Sequence, residues 1–106
     1  MDPLRGEVWD ARIPAAGPHP VVVLTVDPLL ARLRSVTVSV VTGTEGPRVM
    51  HVQLGREAGL TRYDVSYADA TDLHTLAQAR LTRRRGVLHP AELARLEDAV
   101  RTTLGL

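Results

Sequence analysis

The stretch SVTVSVVT, residues 35–42, alternates along its whole length in the way a pleated strand requires. Val36, Val38 and Val40 would share one face; Thr37, Ser39 and Val41 would share the other. Valine and threonine branch at Cβ, which favours extended backbone over helix. GTEGP, residues 43–47, follows directly and supplies two glycines and a proline for a turn. A strand that ends so sharply implies a partner strand close behind it.

Working outward, similar patterns recur on both sides. On the N-terminal side, EVWDARI, residues 7–13, alternates as a half-buried strand. Residues 14–20 carry three prolines and a glycine and read as a loop. Residues 21–26, VVVLTV, are apolar on both faces and read as a central strand. Residues 27–34 read as a short turn or helical piece. On the C-terminal side, residues 49–54 alternate again and residues 55–62 form a loop. Residues 65–70 make a weaker strand, and residues 73–80 fit strand and helix equally badly. Residues 84–88 read as a last short strand.

The end of the chain changes period. Pro90 suits a first helical position, and Glu92 places an anion in the first turn. Leu93, Leu96, Val100 and Leu104 then form one apolar stripe, with Gly105 as terminator. The expected fold is mainly β with a C-terminal helix: a small, bent antiparallel sheet or partly open barrel packed by one amphipathic helix.

The chain has 106 residues, the size of a single domain spanning residues 1–106. Its longest apolar run, VVVL, is too short for a membrane span, which needs about 20 residues. It has no cysteine, so neither a disulfide nor a thiolate metal site is expected. The opening MDPLRGEVWD is acidic and polar where a secretory signal would be basic and then apolar, so a cytoplasmic protein is expected. All 13 basic residues are arginine, but the net charge of +1 is far from that of a strongly basic nucleic-acid binder.

No glycine-rich phosphate loop, HExxH or GxSxG motif is present, and His19, His51, His74 and His89 are scattered. Three features could carry chemistry. His19 stands before the apolar strand, where it reads either as an idle loop residue or as a general acid or base. Thr42 ends a strand beside Gly43, where its hydroxyl either caps the turn or reaches a ligand phosphate. Arg83, Arg84 and Arg85 are either a solvated run or a phosphate surface. Trp9, Tyr63 and Tyr67 are the only aromatics, a poor supply for stacking several bases.

The chain as a whole resembles the MazF/PemK group of toxin endoribonucleases. RGEVWDARI matches the family's opening strand, and HPVVVLTVD its proline-led apolar run. SVTVSVVTGTEG matches the strand ending in the catalytic threonine. SYADATDLHTL, RLTRRRGVL and HPAELARLEDAVRTTLGL match the later strands and the final helix. The resemblance implies an SH3-like barrel, a homodimer, and metal-independent cleavage of single-stranded RNA with no cofactor. It also implies a cognate antitoxin whose tail occupies the RNA groove.

Carried over residue by residue, the resemblance puts Thr42 on the catalytic threonine. His19 falls where the family has its catalytic arginine, and Thr71 and Asp72 stand where it has an aspartate and an amide. His19 and Thr42 are thus the expected catalytic residues. Gly43, Thr44, Arg48, Arg83 and Arg84 are the expected substrate-binding residues, and no metal ligands are expected. Arginine grips phosphate permanently, whereas histidine moves protons near neutrality. The replacement therefore leaves two alternatives: a weakened or inactive member, or a toxin that acts by protein binding, as the similarly folded CcdB gyrase poisons do.

Overall fold

A computed structural model describes residues 2–62 and 64–106. Tyr63, one of the three aromatics, lies outside the described residues. Six strands form one antiparallel sheet: β1 (Glu7–Ile13), β2 (Gly17–Val23), β3 (Ser35–Thr42), β4 (His51–Leu54), β5 (Ser66–Ala77) and β6 (Leu81–Val87). Their spatial order is β4-β5-β3-β2-β1-β6. A four-residue helix, α1 (Asp27–Leu30), follows β2, and α2 (Pro90–Leu104) closes the chain.

β3 has the bounds its alternation implies. It lies in the middle of the sheet between β2 and β5, which is why its valines are buried on both faces. Several other boundaries differ from the expected ones. β2 starts at Gly17 and stops at Val23, so it takes up much of the proline-rich loop and releases residues 24–26. The tight turn before it uses a left-handed Ala15 (φ 66°) and Gly17 (φ 79°). β4 is shorter than expected, because a turn reaches as far as Met50, whose N–H donates to the Pro47 carbonyl at 2.9 Å. β5 is twice the expected length and absorbs most of the ambiguous stretch 73–80. A bulge beyond Asp69 interrupts its alternation, since Val40 faces Asp69 while Ser39 faces Leu73. β6 begins at Leu81, earlier than expected.

Two apolar clusters cover the two faces of the sheet. One gathers Val8, Val22, Val41, Val52 and Ala68 under Leu96 and Ala99 of α2. The other gathers Trp9, Val21, Val38 and Val40 with Leu30 of α1. Val21, Val22 and Val23 are fully buried, as a strand covered on both sides should be. Leu96 is the buried centre of the helical stripe, while Leu104 at its end is 55% exposed. His89 caps α2: its Nδ1 accepts from Ala91 N–H, and Glu92 reaches back to the His89 N–H at 2.8 Å. The other Glu92 oxygen accepts from Gly55 N–H, tying the helix to the end of β4.

The expected barrel is open, because among the described residues no ladder joins the outer strands β4 and β6. A single 3-10 turn, Arg56–Ala58, packs against β6 in the gap. Glycine makes that approach possible. A Cβ on Gly86 would lie 2.1 Å from the Glu57 carbonyl oxygen, and one on Gly59 would lie 2.0 Å from that of Arg85.

Candidate active site at a fork between two strands

The end of the β2–β3 ladder follows from one missing hydrogen. Even-numbered residues of β2 point their N–H toward β3: Leu24 N–H donates to the Thr37 carbonyl at 2.9 Å, and Val22 pairs with Ser39. The next donor on that side would belong to residue 20, which is proline and has none. The β2–β3 ladder accordingly ends at Val21 opposite Val40. β3 runs on to Thr42 beside β5, while the first residues of β2 stay paired with β1. Carried two residues further, the same register would set His19 opposite Thr42. By the alternation of strands, both belong to the face that holds Val21 and Val40. The two expected catalytic residues are thus the prongs of one fork.

His19 is half-buried, and its Nε2 lies 3.2 Å from the Ala16 carbonyl oxygen. A carbonyl can only accept, so Nε2 carries the hydrogen in this contact. In the neutral ring, Nδ1 then keeps a free lone pair. Thr42 Oγ1 accepts from the Thr44 N–H at 3.1 Å, which leaves its own hydrogen free to donate. Gly43 is half-buried and Thr44 exposed at the start of the loop.

The arginines separate. Arg48 is exposed in the same loop and lines a groove of about 670 Å³ with His51, Gln53 and Tyr67. Arg83 pairs across strands with Asp10, which places it on the face opposite to His19. Arg84 is on the His19 face, opposite Trp9, and its Nε donates to Glu7 at 2.6 Å with the side chain 40% exposed. Arg85 holds Asp10 at 3.2 Å and also donates to the Gly59 carbonyl. Thus the structure brings His19, Thr42, Gly43 and Thr44 to one end of the sheet with Arg48, and commits Arg84 partly to an internal carboxylate.

Glu7 is itself buried. Burial opposes its ionisation, but hydrogen bonds from the Arg84 guanidinium, the Leu4 N–H and the Trp9 indole outweigh that and hold its carboxyl below the usual glutamate range.

Sequence reading passed over two residues on the Thr42 face. His51 of β4 faces Asp69 of β5, with Nε2 3.3 Å from Oδ2. Its Nδ1 lies 3.1 Å from the Thr44 carbonyl oxygen, in the loop that follows Thr42. Alternation could have placed each residue on the side of its strand opposite the apolar positions Val52 and Ala68. Only the β4–β5 register brings them together. Thr71 and Asp72, at the expected acidic position, lie in the bulge of β5. Thr71 donates to Asp69 through both N–H and hydroxyl, and Asp72 contacts His74 at 2.9 Å. Among the described residues no group of three histidines or carboxylates stands together as metal ligands would.

Comparison with known proteins agrees with this architecture. The family model for PemK-like, MazF-like toxins of type II toxin–antitoxin systems matches residues 4–104. The chain belongs to the PemK/MazF toxin family. A Mycobacterium tuberculosis relative named "Probable endoribonuclease MazF2" is 33% identical over 101 residues, covering 95% of this chain and 97% of its own. A mycobacterial endoribonuclease solved in complex with its cognate antitoxin superposes with a TM-score of 0.87. That neighbour is 26% identical, and the match covers 98% of this chain and 96% of the other. The fold extends to MazE–MazF of Deinococcus radiodurans, at 16% identity and a TM-score of 0.83, covering 100% of this chain and 99% of the other.

Proposed function

We propose that this PemK/MazF toxin is a sequence-specific endoribonuclease that cuts single-stranded RNA in the cytoplasm without a metal and is silenced by a cognate antitoxin. The observation that carries the reading is the fork, where Pro20 ends the ladder and leaves His19 and Thr42 on adjacent strand ends. Family membership and the endoribonuclease and antitoxin-bound relatives support the same reading.

The chemistry is displacement at phosphorus. The RNA 2′-oxygen bonds to the adjacent phosphorus and gives its proton to His19 Nδ1. The bond from phosphorus to the 5′-oxygen breaks, and that oxygen takes a proton from solvent, leaving a 2′,3′-cyclic phosphate and a 5′-hydroxyl. Thr42 Oγ donates to a phosphate oxygen and orients the group. Arg48, which has no ion pair among the described residues, supplies the cation that histidine lacks when neutral. Gly43 and Thr44 offer backbone to the nucleotide, Arg84 offers its free terminal nitrogens, and Arg83 is a more distant phosphate contact.

The test is cleavage of a pool of single-stranded RNA by the purified chain in chelator, with the new 5′ ends sequenced. Thr42→Ala should lower kcat/KM about 100-fold, the usual size for one transition-state donor. His19→Ala should lower kcat/KM by about 100-fold or more, the usual size for a lost general base. Wild type cutting no better than Thr42→Ala across the whole pool would end this reading. Trapped gyrase–DNA complexes with RNA intact would establish the protein-binding alternative.

We also propose a homodimer. Its support is an apolar groove of about 470 Å³ lined by Val26, Leu29, Leu33 and Leu104, each at least 45% exposed.

A further inference from the structure

His51 has an acceptor opposite each ring nitrogen, and the ring can donate to both only when both nitrogens carry hydrogen. Nδ1 faces the Thr44 carbonyl oxygen at 3.1 Å and Nε2 faces the Asp69 carboxylate at 3.3 Å. With neither nitrogen open to a substrate, His51 is poorly built to transfer a proton to RNA, unlike His19. It is well built to hold something still. Its side chain is 14% exposed and that of Asp69 20%. The loop closes directly over the ring: a Cβ added to Gly46 would lie 2.6 Å from two ring atoms.

Asp69 is anchored more firmly still. Its Oδ1 accepts from the N–H of Thr71 at 2.9 Å and from the Thr71 hydroxyl at 2.6 Å. Its backbone carbonyl accepts from Ser39 Oγ at 2.7 Å. One chain of contacts therefore runs from the bulge of β5, through Asp69 and His51, to the loop that follows Thr42. Thr44 stands at the end of that chain. It receives His51 at its carbonyl and gives its N–H to Thr42 Oγ1.

We propose that His51 and Asp69 are positioning residues: a strut that fixes the backbone of Thr44 and through it the orientation of the Thr42 hydroxyl. This rests on the RNA-cleaving reading of the Thr42 site. Asparagine places its amide nitrogen near the histidine Nδ1 position, so it can still donate to Thr44. Glutamine places its amide near Nε2, so it keeps the Asp69 contact and loses the loop.

The experiment compares His51→Asn and His51→Gln in the full-length chain on an RNA that wild type cuts. His51→Gln should lower kcat roughly tenfold or more with a smaller change in KM, the scale expected of a misplaced catalytic group. His51→Asn should retain most of kcat. Amide NMR signals of Thr44 to Gly46 should shift in His51→Gln and stay near wild type in His51→Asn. Equal losses in both variants, or full activity in His51→Gln with the protein folded, would overturn the strut. If wild type cuts no RNA, the functional reading fails, and the NMR comparison still decides whether the strut exists.

Discussion

Glu7 shows how much of this molecule is settled by single side chains. It is buried, yet Arg84, Trp9 and Leu4 each give it a hydrogen. Its carboxyl is held below the usual range, so the contribution is complete above the ordinary glutamate range and is lost as pH falls through the lower folded value. Glu7→Gln should cost about 1–3 kcal/mol at neutral pH, because one buried partner of Arg84 becomes a poorer acceptor. The difference from wild type in urea melts should shrink as the solution is acidified; a constant difference would remove the charge from the explanation. At this scale the sequence was only partly legible. EVWDARI marks a strand, but nothing in it says that Glu7 points inward to meet an arginine 77 positions later. His51 and Asp69 stayed hidden for the same reason: their meaning is a pairing between strands.

Pro20 acts at the scale of the element. Proline at a strand's start reads as harmless, and here it decides where two strands part company. Pro20→Val restores a donor facing Val41, one rung beyond the present end of the β2–β3 ladder. The added hydrogen bond, about 0.5–1.5 kcal/mol, is offset by the freedom the unfolded chain regains, about 0.4–1 kcal/mol. Stability should therefore change little. The amide of residue 20 should become protected from exchange, and RNA cleavage should fall at least about tenfold as the fork closes. An unprotected amide with unchanged cleavage would show that proline is not what keeps the fork open. β3 and α2 were legible because one clean period runs through each. β2 and β5 were not. Three prolines disguised the start of the first, and a bulge broke the alternation of the second.

For the whole molecule, the two faces of the sheet have different fates. α2 covers one, while α1 and the nearby loop leave Leu29 at 48% and Leu33 at 47% exposed. An exposed apolar patch on a small chain suits the proposed two-fold dimer. Leu29→Asp with Leu33→Asp should convert the protein from a dimer to a monomer of 11.5 kDa in light scattering, with its circular dichroism retained. A wild type already monomeric at the same concentration would refute the dimer.

The 3-10 turn that follows β4 meets β6 through glycine backbones, and no ladder joins the two along that contact among the described residues. A contact of that kind has no cooperativity along its length. It gives the molecule a seam, and a seam is where opening starts. β4 has only four residues and one strand partner, so it is the part of the sheet that can lift away with fewest rungs broken. Because β4 carries His51 as well as Val52 and Leu54, unfolding that begins there would loosen the Thr42 loop together with the apolar cluster under α2.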